Sequence, residues 1–316
     1  MTATQRVLKK GDQFEGYRIL GELGRGAASI IYVAEEHRTK RVVCLKHVEK
    51  LEPKHQRFIE QTLQEHKVSQ DLSHQAFRRS LRAIKKGPLL RVNEVWLVLE
   101  MVDGTSMELS PPRTFEDALV IFQQVADGLS HMHQRGWVHA DMKPNNIVVT
   151  PSDNEHGLVS KIIDLGQSCR TGTVKERIQG TPDYIAPEQV HRREITARTD
   201  VYNLGATMYW VLTRQHIPTA LPKRRESLMS SLDDSMIEPP KPASDLNPRI
   251  EERLNSLIMQ CVRVKPEERP GSMDEIAERL RFSLGVIRTK NQRRKPTDPR
   301  ATYSGRDSSD DSRVGA

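Results

Sequence analysis

The stretch His139-Ala140-Asp141-Met142-Lys143-Pro144-Asn145-Asn146 decides how the rest of this 316-residue chain is read. Within eight residues it brings together an imidazole, a carboxylate, an amine and a carboxamide. A carboxylate can take a proton from a hydroxyl, an ammonium can offset growing negative charge, and an amide oxygen can bind a hard cation. Asp141 and Asn146 stand five residues apart. In isolation the stretch is also an acceptable polar turn, so its meaning depends on what the remaining residues supply.

Composition sets the bounds. At 36% hydrophobic and 29% charged residues the chain is polar but globular, long enough for one large domain or two lobes. It contains no run of eighteen apolar residues, so no transmembrane helix is expected. Met1-Thr2-Ala3-Thr4-Gln5-Arg6 lacks the apolar core of a signal peptide, and a cytoplasmic location is expected. Cys44, Cys169 and Cys261 share no metal-like spacing and are expected as reduced thiols. The net charge of +7 is uneven: Arg288–Arg300 carries +5 and Ala301–Ala316 carries −1, leaving +3 for the body. A body so weakly basic argues against nucleic acid as a partner. The basic stretch reads as a solvated end, with an acidic partner as the alternative.

Short apolar and β-branched runs bounded by turns mark strands at Tyr17–Leu20, Ser29–Ala34, Arg41–Lys46, Leu81–Lys86 and Val95–Met101. A helix is expected from about Lys54 to Asp71. Beyond Thr114, whose pairing with Asp117 resembles a capping box, Leu119, Phe122, Ala126, Leu129 and His133 recur at helical steps. Further helices are expected at Arg198–Arg214, Arg249–Val262 and Met273–Ser283. The expected organisation is a loose N-terminal tail over 1–13, a strand-rich unit over 14–102, a helical unit over 103–287, and a basic, then Ser/Asp-rich, disordered tail over 288–316.

Other segments surround the opening stretch. Gly24-Arg25-Gly26-Ala27-Ala28-Ser29 joins two strands, and glycines there let backbone N–H groups approach phosphate oxygens. A dinucleotide fold would need a helix after such a loop, whereas a β-branched strand follows. Val43-Cys44-Leu45-Lys46 ends an apolar strand in a cation. Glu65 and, as a competitor, Glu60 are the acidic residues on the next helix able to pair with Lys46. Ile162-Ile163-Asp164-Leu165-Gly166 places a carboxylate eighteen residues after Asn146. Downstream lie Gly180-Thr181-Pro182-Asp183-Tyr184-Ile185-Ala186-Pro187-Glu188, then Asp200, then Arg269 in Lys265-Pro266-Glu267-Glu268-Arg269-Pro270.

In this order and with these separations, the chain from about Tyr17 to Leu284 resembles a eukaryotic-like (Hanks-type) serine/threonine protein kinase of the bacterial branch. The resemblance implies an α+β, bilobal fold, with a small antiparallel-sheet N-lobe and a larger, mostly helical C-lobe. It implies Mg²⁺-dependent (or Mn²⁺-dependent) transfer of the ATP γ-phosphoryl group to Ser/Thr hydroxyls of proteins. Carried over residue by residue, Asp141 takes the hydroxyl proton, Lys143 offsets charge on the phosphoryl group, and Asn146 and Asp164 hold the metal. Lys46, held by Glu65 nine residues before His74, orients the α/β-phosphates. Leu23, Gly24, Gly26, Ser29, Ile31, Cys44, Leu99, Glu100, Val102 and Val148 surround the nucleotide, with Glu100–Gly104 as the adenine-binding hinge and Leu99 guarding the back pocket. Glu188–Arg269 and Asp200 are implied as structural supports. Gly166 is expected to let the backbone turn at the metal carboxylate.

Three positions depart from the family pattern: Ser29 stands for Gly, Ala140 for Arg and Leu165 for Phe. They motivate one alternative, a pseudokinase serving as a nucleotide-binding or scaffolding module. Ala140 further implies weak dependence on activation-loop phosphorylation, because a buried Arg that a phosphate would neutralise is missing. A small-molecule kinase is a second alternative, disfavoured by the Ala-Pro-Glu segment and its Arg.

Overall fold

Strands β2 (Tyr17–Arg25) and β3 (Ser29–Glu36) bury alternate residues, whereas β4 (Val42–Glu49) and β6 (Glu94–Glu100) are buried almost throughout. That difference places β4 and β6 at the centre of a sheet covered on both faces. The computed structural model describes residues 7–88, 91–221, 234 and 237–294, and bears this out. Among them, six antiparallel strands run in the order β1-β2-β3-β4-β6-β5, with β1 at Gln13–Phe14 and β5 at Ser80–Lys86. One face packs Phe14, Ile19, Tyr32, Leu45 and Trp96; the other packs Cys44, Val48, Leu97 and Leu99 against Ile59 of helix α1 (Gln56–Asp71).

After Glu100 the chain becomes helical. Strand β7 (Thr105–Ser106) leads to α2 (Phe115–Gln134), which Thr114 caps by accepting a hydrogen bond from the Asp117 N–H at 3.0 Å. Leu119, Phe122, Ala126 and Leu129 of α2 are fully buried at the heart of the larger core. Around it follow β8 (Trp137–Val138), β9 (Ile147–Pro151), β10 (Leu158–Ile162), β11 (Cys169–Arg170), α3 (Pro187–Val190), α4 (Ala197–Thr213), α5 (Ala243–Leu246), α6 (Glu252–Cys261) and α7 (Met273–Arg294). No helix among the described residues is long and apolar enough to cross a membrane.

Both expected tails need correction. Residues 7–13 are not loose: Leu8 is buried in the smaller core, its N–H donates to the Tyr32 hydroxyl at 3.1 Å, and Gly11 N–H donates to Ile19 O at 2.9 Å. At the other end α7 runs through Arg294 and absorbs residues 288–294. Leu284 and Ile287 continue its apolar face onto the core, Lys290 pairs with Glu251 at 2.6 Å, and the Asn291 amide donates to Glu116 at 2.5 Å. Part of the stretch whose polar composition suggested a tail is thus the continuation of a docked helix. The rest of that expected tail, 295–316, lies outside the described residues, as do residues 1–6.

Candidate active site

The His139–Asn146 stretch follows β8 directly and is held from beneath by a buried carboxylate. Asp200, on the first turn of α4, accepts the N–H of His139 (2.9 Å) and of Ala140 (2.8 Å) and also bonds His133 Nε2 at 2.7 Å. Burial alone would raise its pKa, but the His133 bond and the charges and donors around it hold it below the usual carboxylate value. Ala140 sits at φ +59°, a left-handed conformation that costs an L-residue about 1–2 kcal/mol. Its two peptide groups are both engaged, the N–H by Asp200 and the C=O by Gln189 Nε2 at 2.8 Å, so the strain is held by its surroundings. Its methyl group packs with Val138, Cys169 and Ile195.

Two of the expected catalytic groups, Asp141 and Lys143, meet Thr181 at one point. Lys143 Nζ donates to Asp141 Oδ2 at 2.9 Å and to Thr181 Oγ1 at 2.7 Å, and the Thr181 hydroxyl donates to Asp141 Oδ1 at 2.9 Å. Asp141 is 6% exposed, and each carboxylate oxygen keeps a free acceptor site. Asn146 donates its side-chain amide N–H to the Asp141 carbonyl at 2.9 Å, which leaves its amide oxygen as the end that could accept a cation. The Ile163 backbone N–H donates to the Asn146 backbone carbonyl at 2.9 Å, so the segment that follows β10 and leads to Asp164 lies against the His139–Asn146 stretch.

Asp164 adopts φ +64°. The turn therefore falls on the carboxylate residue itself and not on Gly166, which the sequence reading had given that role. Gly166 is instead required for close approach: a β-carbon there would lie 3.1 Å from Gln61 O. Lys46 Nζ lies 3.6 Å from Asp164 Oδ1, and its charge brings the Asp164 pKa down to about 2. Asp164 is thus ionised throughout the neutral range. Burial works to lower the Lys46 pKa, but Asp164 and Glu65 overcome it and leave it raised.

Lys46 Nζ pairs with Glu65 Oε2 at 2.6 Å, while Glu60 accepts from Gln56 Nε2 at 3.2 Å. Register explains the reach of the lysine. Ile31 faces Lys46 across β3–β4, and Cys44 faces Leu99 across β4–β6. Ile31, Cys44, Leu99 and Met101 thereby share one apolar cluster. Val148 is buried on the C-lobe side, Val102 is half-buried, and Leu23 is 58% exposed at the rim. Gly24 lies in β2 and Ser29 opens β3; Gly26 N–H donates to Ser29 O at 2.8 Å, and a β-carbon on Gly26 would meet the Ser29 hydroxyl at 2.7 Å. Glu100 is held by Lys161 Nζ (2.9 Å) and Arg79 N–H (3.0 Å). Arg78, a second cation on Glu65, had no signal in the sequence: it is one of two adjacent arginines in a polar run.

The donor set fits a metal–nucleotide complex better than a free ion. Among the described residues no cluster of three His, Cys, Asp or Glu side chains could hold a metal. One carboxylate and one amide oxygen suit Mg²⁺, which completes its shell with water and phosphate oxygens. A surface groove of about 1250 Å³ lies elsewhere, between the start of α2 and helices α6 and α7.

The protein kinase domain family model matches residues 17–280. The chain is 30% identical over 281 residues to the serine/threonine-protein kinase PknD of Mycobacterium tuberculosis, covering 86% of this chain and 40% of that protein. It is 28% identical over 298 residues to the serine/threonine-protein kinase pkn3 of Myxococcus xanthus, covering 90% and 52%. With Pkn1 of the same organism it shares 30% identity over 209 residues, covering 64% and 29%. It therefore spans between about a third and half the length of these curated relatives. With the family match extending from β2 into α7, this chain belongs to the protein kinase domain family.

Proposed function

We propose that this chain is a serine/threonine protein kinase of the bacterial Hanks type, transferring the ATP γ-phosphoryl group to Ser/Thr hydroxyls of protein substrates. The observation that carries the reading is the Asp141–Lys143–Thr181 triangle beside Asn146 and Asp164. ATP lies between an N-lobe over 14–102 and a C-lobe over 103–287. Its adenine end meets Ile31, Cys44, Leu99 and Val148, its hydrogen-bonding edge the Glu100–Val102 backbone, and its phosphates the Leu23–Ser29 hairpin. Mg²⁺ (or Mn²⁺), bound through Asn146 and Asp164, would supply charge neutralisation between the phosphates. Lys46, oriented by Glu65, orients the α/β-phosphates. Asp141 aligns the acceptor hydroxyl and takes its proton, and Lys143 offsets charge on the group in transit. The transition state of phosphoryl transfer is loose, so positioning and charge do most of the work. Lys143 and Thr181 beside Asp141 support a Ser/Thr acceptor. None of the three departures removes a group that touches phosphate, metal or hydroxyl, so nothing favours the pseudokinase alternative. Incubation with labelled ATP, Mg²⁺ and a generic basic protein is expected to put label on serine or threonine. No label on the protein itself or the substrate, with the Asp141→Asn variant indistinguishable from wild type, would sink the reading.

The chain also fits the subtype lacking Arg before the catalytic Asp. The space around Ala140 is apolar, and hydrogen bonds within the chain hold the segment around Thr171. Thr171 N–H donates to Gly136 O (3.1 Å), Gly172 N–H to Ile195 O (2.8 Å), and Lys175 Nζ to Gln167 O (2.7 Å). The Thr171→Ala/Thr173→Ala double variant is therefore expected to keep activity within about threefold of wild type, since no arginine waits for a phosphate there. Loss of nearly all activity in a kinase assay would contradict this. The acidic partner considered for the basic stretch is less supported than protein substrates, because Lys290 already pairs with Glu251.

A further inference from the structure

Glu65 is 3% exposed and lies between two cations, one on each carboxylate oxygen. Oε2 takes Lys46 at 2.6 Å; Oε1 takes Arg78 Nη2 at 3.1 Å. The Arg78 side chain is only 10% exposed. It belongs to the short segment between α1 and β5, and its backbone is tied to the end of β10. Arg78 N–H donates to Ile162 O at 3.0 Å, Ile162 N–H donates to Ala76 O at 2.6 Å, and Phe77 bridges Ile162 in parallel. Ile162 lies two residues before Asp164, which lies 3.6 Å from Lys46.

These contacts close a ring. It runs from Asp164 to Lys46 on β4, to Glu65 on α1, to Arg78, through its peptide to Ile162, and along the chain back to Asp164. We propose that Arg78 is a positioning residue that locks Glu65, and with it helix α1, in the orientation that serves Lys46. The proposal rests on the kinase reading and adds how that site is kept assembled. The physical reason lies in what happens when α1 moves outward. The Lys46–Glu65 pair breaks, and a buried guanidinium loses the carboxylate that hydrogen-bonds it. Stranding such a charge is strongly unfavourable, whereas the intact pair adds little to stability. Arg78 thus acts mainly against the open arrangement. Glu65 alone joins α1 to one strand of the sheet; with Arg78 it also joins α1 to the strand that delivers the metal carboxylate. Both contacts are made within this chain.

The test is a kinetic cycle over Arg78→Met, Glu65→Gln and the double variant, with thermal unfolding as a check on folding. Arg78→Met is expected to lower kcat/KM for ATP by about tenfold or more, because small misplacements of a phosphate-orienting group are costly. In the Glu65→Gln background the same change is expected to matter less than about threefold, since the contact it removes is already lost. Arg78→Lys, which keeps the charge, should fold and fall between wild type and Arg78→Met. Affinity for a fluorescent ADP analogue with Mg²⁺ is read in parallel and is expected to weaken several-fold in Arg78→Met. That arm needs no turnover, so a wild type that binds nucleotide but transfers no phosphate would sink the kinase reading while still testing Arg78. Arg78→Met within twofold of wild type in affinity and kcat/KM would overturn the inference. Fully multiplicative losses in the double variant would also overturn it, because they would make Arg78 a structural residue independent of Glu65.

Discussion

Replacing Asp141 by Asn is expected to lower kcat by about 10²–10⁴-fold, the range typical for a positioned general base. Asparagine keeps the shape but cannot take the proton, and it removes the anion that Lys143 meets at 2.9 Å. The fold should survive. The backbone contacts of this residue, its N–H to His139 Nδ1 and its C=O from Asn146, do not involve the carboxylate. The KM for ATP is expected to stay within about threefold, because Lys46 and Asp164 are untouched and binding is separable from the chemical step. Steady-state kinetics with a thermal melt decide it. A kcat loss under about fivefold in a folded variant would remove Asp141 from its assigned role.

The largest expected effect on stability lies at Arg269. Its guanidinium is fully buried and grips Glu188 with two parallel bonds, 2.7 and 2.9 Å. Its remaining N–H groups reach the carbonyls of Arg263, Arg198 and Val264, and Tyr202 lies 4.8 Å beneath it. Arg269→Met leaves the Glu188 carboxylate buried without a counter-charge, a change that costs about 3–5 kcal/mol. For a body of this size that corresponds to a drop of about 6–20 °C in Tm. Arg269→Lys is expected to lose stability too, since a point charge cannot replace the two-pronged contact. Removing both partners, as Arg269→Met/Glu188→Leu, should cost less than Arg269→Met alone, because no charge is then stranded. Differential scanning calorimetry reads all three. A single-variant shift under 2 °C would show that the pair does not hold α3 against the α6–α7 connection.

Much of this was legible in order along the chain. The β-branched run of β3 and the apolar run of β6 marked strands, and three- and four-residue steps marked α2, because a buried face leaves its repeat or its apolar run in the sequence. The boundaries at 13 and 288 were not legible. Leu8 is a lone apolar residue in a polar run, and residues 288–294 have the composition of a tail while forming the outer turns of α7. Both are ordered by partners distant in sequence: Tyr32 for Leu8, Glu251 and Glu116 for the end of α7.

The site divides in the same way. The resemblance carried by the order and spacing of the motifs singled out Asp141, Lys143, Asn146 and Asp164 as candidates, since phosphoryl transfer calls for such groups on short, connected loops. Tertiary structure decided which of Glu60 and Glu65 meets Lys46, because a choice between two carboxylates on one helix depends on which face packs against β4 and β6. It moved the left-handed turn from Gly166 to Asp164, a matter of local contacts that residue preference does not settle. It also brought Arg78 to Glu65 across thirteen residues. Composition by itself determined the groups available for chemistry. Which of them touch was decided only when sheet, helix and loop closed on one another, since a side-chain contact depends on distance in space and not on separation along the chain.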